Sequence, residues 1–369
     1  MSAVIRKSTL GKSCKMYQPR TISTDMLVPN GKYLVYGANG VIGRYSEYNH
    51  EESELLMTCR GATCGTINVS EPFSWINGNA MVIHPVDPEL DFFFLKYQLE
   101  SLDLSEVITG AAQPQITRQS LNTVPIIIPS LADQQRIVAE LDLLSSIVEK
   151  KNAQLCTLGK LAESLFNESF GNLITNDRNW RTGSLKELIE DKRKILRAAK
   201  LYRPNDVIHY IDISSIDNIA HCMTSTTEFV FNEAPSRAQQ VVHNGDILVS
   251  MVRPNLRNIA SVCSIENNLV ASSGFCVLRS HSTSGEFLKQ LVLSDFFTDY
   301  LLTRVSGANY PAVREEDIKD CEIGIPPVEL QQEFSNRIKA LETQRLTIDS
   351  SLKTAKDLLA SRMDKYFSA

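Results

Sequence analysis

The chain has 369 residues, 43% of them hydrophobic and 22% charged, with a formal net charge of −5. That is an ordinary soluble globular composition with room for two cores. No run approaches the roughly 18 apolar residues of a membrane span, and Met1 to Ser8 lack a signal peptide's apolar stretch, so no membrane association and a cytoplasmic location are expected.

In chain order, residues 1–128 read as a mixed unit with short strands at Tyr33–Tyr36, Glu54–Met57 and Met81–Ile83, and a helix at Pro88–Leu102. Its Gly37-Ala-Asn-Gly40-Val-Ile-Gly43 segment lacks the spacing of either nucleotide-binding glycine fingerprint. An Asn-Gly turn between strands explains it better, and such a turn can carry Asn39 and Arg44 to a DNA groove. A second glycine-punctuated loop runs from Arg60 to Gly65, where an arginine can meet guanine or phosphate or remain a solvated turn residue.

Residues 129–171 read as a long amphipathic helix. Ile137, Leu141, Leu144, Val148, Leu155, Leu158, Ala162 and Leu165 recur at spacings of three and four, skipping at Lys151. This is a narrow heptad seam. Residues 172–325 form a second mixed unit that opens on a basic stretch. Between Arg181 and Arg203 eight Lys/Arg, Arg193 among them, face three acids. Such a run suits a solvated helix face or a nucleic-acid contact equally. Strands follow at Asp246–Ser250 and Gly274–Leu278 and a helix at Gly285–Thr303, with Arg253, Asn255 and Arg257 on the loop matching Arg60. Residues 326–369 read as the second long helix.

The two halves repeat one another. Thr109-Gly-Ala-Ala-Gln-Pro114, Ile126–Pro129 and Gln134-Gln135 recur as Ser306-Gly-Ala-Asn-Tyr-Pro311, Ile323–Pro326 and Gln331-Gln332, always 197 positions on. The seam recurs with them at Phe334, Ile338, Leu341, Ile348, Leu352, Ala355 and Leu359, with Arg345 and Arg362 as cations within it. A long helix with a narrow apolar stripe must bury it on another helix. The expected fold is therefore α+β: two mixed α/β domains separated by an intramolecular antiparallel coiled coil, with pseudo-twofold symmetry. Lys151 beside Arg345 would bring two cations together, so an offset register or snorkelling to solvent is expected. A twofold chain suits a twofold partner such as duplex DNA.

Nothing organises catalysis. The eight cysteines form no Cys-x-x-Cys pair and the six histidines are isolated, so reduced packed thiols are expected, without a metal site. The tetrapeptide with which a methyltransferase holds a target amino group is missing. So is a nucleophile elbow, and Pro85-Val-Asp87 is not followed by Glu-x-Lys at nuclease spacing.

The order unit, helix, unit, helix resembles the specificity (S) subunit of type I restriction–modification enzymes. Tyr36-Gly-Ala-Asn-Gly40-Val-Ile-Gly43 and Arg60-Gly-Ala62 resemble loops of its target-recognition domains. The duplicated Ile-Pro plus Gln-Gln segment resembles its domain-to-helix junction. Two departures are a shorter start to the first domain and Arg118 standing where the second copy has Glu315.

The resemblance implies a non-catalytic subunit whose two domains each read half of a split double-stranded DNA site, with the coiled coil as the ruler. It implies no cofactor on this chain. Two modification (methyltransferase) subunits would carry S-adenosylmethionine, and a motor-nuclease restriction subunit would use ATP and Mg. The methyltransferases would dock near Glu149, Lys150 and Lys160, off the seam. The alternatives are a free-standing DNA methyltransferase or nuclease, or a purely structural coiled-coil adaptor.

Overall fold

The computed structural model describes residues 5–110, 114–190, 195–280, 285–307 and 311–368. The chain forms two compact units, Met1–Asn152 with Ser350–Ala369, and Ala153–Asp349. Each boundary falls inside a long helix, and the two boundaries lie 197 residues apart, so the packing respects the repeat. The candidate loops belong to the units and the seam to the helices.

Unit 1 is built on a four-stranded sheet in the order Cys14–Tyr17, Ala80–Pro85, Leu55–Thr58, Ile67–Val69. A three-stranded sheet beside it contains the hairpin Tyr33–Gly37/Gly40–Tyr45, and Arg6–Thr9 pairs antiparallel with Pro125–Ile128. The helix expected from Pro88 begins at Phe92 and runs to Ser101, because Asp91 caps it by accepting from the Phe94 N–H at 2.9 Å.

Unit 2 has a four-stranded sheet, Thr227–Val230, Val207–Ile211, Leu269–Ser272, Ala238–Val241, and a five-stranded one centred on Ile259–Ser261 and Ile247–Ser250. Arg181–Ser184 pairs with Glu322–Ile325 as Arg6–Thr9 does with Pro125–Ile128. The helix expected over Gly285–Thr303 is two helices, Gly285–Leu293 and Asp295–Leu302. Ser294 breaks it: its backbone is extended (φ −65°, ψ 151°), and its hydroxyl accepts from the Phe297 N–H.

The long helices are continuous over Leu131–Phe170 and Val328–Phe367. Within each unit they run antiparallel, along the expected seam. In unit 1 Phe367 packs on Phe94 with ring centroids 5.3 Å apart, while Ile137 and Leu141 join the same core. Unit 2 repeats the arrangement with heavier side chains, as Phe334 meets Phe166 and Phe170 at 5.5 and 5.2 Å. The other seam positions, Leu144, Val148, Leu155, Leu158, Leu341, Ile348, Leu352 and Leu359, are buried or half-buried.

One seam cation is held by carboxylates of its own helix. Lys151 belongs to unit 1 and Arg345 to unit 2. Arg345 stays half-buried and pairs along its own helix with Glu342 at 2.6 Å and Asp349 at 3.0 Å, so it does not snorkel free of partners. Glu342 lies below its usual pKa because Arg345 hydrogen-bonds it. In unit 1 Arg362 reaches Glu140 on the other helix at 3.0 Å, beside the Tyr366 hydroxyl. No described helix is long and apolar enough to cross a membrane.

The duplicated glutamine has a structural purpose. Gln134 is fully buried; its amide donates to the Pro129 and Glu89 carbonyls at 2.8 and 2.7 Å, and its carbonyl accepts from the Asp91 N–H at 2.8 Å. Gln331 likewise donates to the Pro326 carbonyl at 2.8 Å. These contacts tie each helix start to the chain before it, where backbone groups have no helical partner.

Candidate nucleic-acid interface

In unit 1 the two glycine-punctuated loops form one surface. Ala38 and Asn39 are the two-residue turn of the first hairpin, with Gly37 opposite Gly40. Thr58 donates to the Ala38 carbonyl at 2.6 Å and to Asn39 Oδ1 at 3.1 Å, and Thr63 donates to the same Oδ1 at 2.7 Å. The hairpin is thereby strapped to the Arg60–Gly65 loop. Both acceptor contacts use the Asn39 oxygen, which leaves its exposed amide nitrogen as the donor for a ligand. Arg44 lies on the outgoing strand opposite Leu34, with its side chain exposed.

Arg60 is exposed at the edge of the sheet, in an antiparallel bridge with Gln115. The next residue, Gly61, adopts φ +85° and donates its N–H to the Pro114 carbonyl at 3.0 Å. In unit 2 Arg253 is the residue that donates to the corresponding Pro311 carbonyl, at 2.8 Å. The match between loops is therefore shifted by one: Gly61 corresponds to Arg253, and Arg60 to Val252, which bridges Ala312.

That shift puts a side chain where unit 1 has glycine. Arg253 and Arg257 both take left-handed backbone, φ 49° and 48°, around the short turn Pro254–Leu256. Each such non-glycine residue costs on the order of 1–2 kcal/mol. Strain of this size concentrates where a side chain must be aimed. Arg253 and Asn255 are exposed, whereas Arg257 is held by Asp295. Asn218 ties the turn down from the other side, donating to the Leu256 carbonyl at 3.0 Å.

Arg193 lies outside the described residues. Of the neighbouring basic residues, Arg181 pairs with Glu187 and Lys186 with Asp320, each at 3.0 Å. Among the described residues no three His, Cys, Asp or Glu side chains gather to hold a metal. Burial pushes the Cys14, Cys59 and Cys321 thiols up to about 12, 11 and 12, which makes them poor nucleophiles near neutrality. The sequence reading missed that Arg118 converges with Arg60 on one cleft of about 400 Å³. Its only sequence signal was the Arg118/Glu315 mismatch in an otherwise gapless repeat.

The sequence profile of the type I restriction modification DNA specificity domain matches residues 6–157 and again 177–355. The MjaVIII specificity subunit of Methanocaldococcus jannaschii is 18% identical, over 92% of this chain and 85% of its own length. The EcoDI specificity subunit of Escherichia coli is 21% identical, over 88% and 79%. Among solved structures, the type I restriction–modification S subunit from M. genitalium shares the fold with a TM-score of 0.61 at 14% identity, over 99% of this chain and 96% of that one. With its profile matched twice over most of its length, the chain belongs to the family of type I restriction–modification DNA specificity subunits.

Proposed function

We propose that this non-catalytic specificity subunit reads a two-part duplex site, unit 1 taking one half and unit 2 the other, with the paired long helices setting the spacing between them. One observation carries this reading. The same backbone anchors, Pro114 and Pro311, hold loops that present different side chains, Arg60 and Gly61 against Val252 and Arg253. A shared frame with divergent readers suits a target whose halves differ in sequence.

The helices are also the surface on which methyltransferase subunits would dock. Leu161 and Leu358 occupy equivalent positions of the repeat and are 42% and 43% exposed. Two matching apolar positions away from the seam fit two copies of one partner; Lys160 is next to Leu161, and Glu149 and Lys150 lie farther along the same helix, also off the seam. S-adenosylmethionine would bind in those partners, and ATP with Mg in a motor-nuclease partner. This chain would bind none of them.

The test is to reconstitute the chain with its methyltransferase and measure binding to duplexes in which one half-site at a time is scrambled. Asn39→Asp and Arg253→Ala should weaken binding through different halves. Loss through the same half overturns the assignment of one unit per half. Methyl transfer to DNA by the lone chain would instead reveal a free-standing enzyme, and a complex without DNA selection would indicate a structural adaptor.

A further inference from the structure

The cleft in unit 1 has a property that the DNA-reading loops alone do not explain. Buried Met81 and Ile116 line it, together with Tyr17, Gln18, Gln115, Thr117 and the two arginines. Arg60 and Arg118 are both exposed, and among the described residues no carboxylate lines the cleft with them. Two like charges facing one concavity repel each other, and an anion between them removes that repulsion.

Both guanidinium groups stand on fixed backbone. Arg60 is held by its bridge to Gln115. Arg118 is the first residue of the short helix Arg118–Leu121, whose start Thr117 caps by accepting from the Ser120 N–H at 3.1 Å. The backbone that carries both cations is therefore in place before any ligand arrives.

Unit 2 has the same frame with other residues at these two positions, its exposed arginines standing one position away as Arg253 and Arg314. The gapless offset of 197 puts Glu315 at the Arg118 position and Ala312 at the Gln115 position, and the shared anchor puts Val252 at the Arg60 position. Glu315 is turned to Lys319, 2.8 Å away on its own short helix.

We propose that Arg60 and Arg118 form a phosphate clamp that fixes unit 1 on the DNA backbone of its half-site, at positions where unit 2 carries Val252 and Glu315. The clamp rests on the DNA-reading assignment above and adds that these two arginines hold the backbone rather than read bases. Paired arginines over one cleft suit a phosphodiester, whose charge is the same for every sequence. Base discrimination in unit 1 then falls to the neighbouring Asn39 and Arg44.

The test measures duplex binding by the reconstituted complex between 50 and 200 mM salt, for wild type, Arg118→Gln, Arg60→Gln and the double variant. Each single change should lower the slope of log affinity against log salt by about 0.9. The loss should be equal for the intact duplex and for one with the first half-site scrambled. Trp75 fluorescence of each variant chain on its own, in a Trp180→Phe background, confirms that unit 1 remains folded. An unchanged slope overturns the clamp, whether affinity is unchanged or discrimination at the first half-site is lost, the latter marking base contacts. If the wild-type complex selects no split site, the DNA-reading assignment fails instead of the clamp.

Discussion

Gln134 and Gln331 occupy the same repeat position, yet they should not be equally important. Replacing Gln134 with Leu keeps the approximate volume and strands three backbone groups: the Pro129 and Glu89 carbonyls and the Asp91 N–H. A buried unsatisfied group costs about 1–3 kcal/mol. Glu89 is exposed and its carbonyl can recover water, so the sum is about 2–4 kcal/mol. Gln331→Leu strands the Pro326 carbonyl and should cost about 1–2 kcal/mol.

The chain supplies its own assay. It has two tryptophans, Trp75 in unit 1 and Trp180 in unit 2. A Trp180→Phe background therefore reports unit 1 alone, and Trp75→Phe reports unit 2. With a urea dependence of about 2 kcal/mol per molar, Gln134→Leu should lower the unit 1 midpoint by roughly 1–2 M. Gln331→Leu should lower that of unit 2 by roughly half as much. If Gln134→Leu moves its midpoint no further than Gln331→Leu does, the extra hydrogen bonds are not the source of stability and the argument is wrong.

Asn39→Asp keeps the oxygen that accepts from Thr58 and Thr63 but removes the amide donor. Unit 1 stability should hold within about 0.5 kcal/mol while binding through the first half-site weakens; undiminished binding would exclude Asn39 from the contact. Leu144→Asp combined with Leu341→Asp puts charge into the seam of each unit, at a cost of several kcal/mol. Split-site binding should disappear while both tryptophans still report folded units, and unchanged binding would refute the ruler. Burial, with the charge of Lys289 adding to it, holds His221 below its usual 6.5, while a hydrogen bond to the Arg257 backbone and the charge of Asp217 work the other way. The unfolded chain therefore takes up the proton first. This part of unit 2 stability is present above pH 6.5 and is lost as pH falls through the lower folded value. From pH 7.5 to about 5.5 the Trp180 midpoint should fall more in wild type than in His221→Gln; parallel losses would show that His221 is not responsible.

The sequence by itself determined the frame. A heptad seam is a local periodic pattern, and a 197-residue repeat without gaps keeps every junction in register, so both long helices and the duplicated Ile-Pro/Gln-Gln junction were legible. It could also show an Asn-Gly turn, because turn chemistry is carried by adjacent residues. Local signals did less well at helix ends: Ser294 divides a helix that the apolar pattern ran together. Tertiary structure alone decided how the loops are held and which of their residues meet. The alignment of Gly61 with Arg253 depends on hydrogen bonds to prolines more than fifty residues away. The strap between Asn39 and Thr63, and the convergence of Arg60 with Arg118, likewise join distant segments. Such contacts leave no periodic trace in the chain. A repeated pattern can announce a shared scaffold, but the side chains that distinguish its two copies acquire positions only when long-range contacts close.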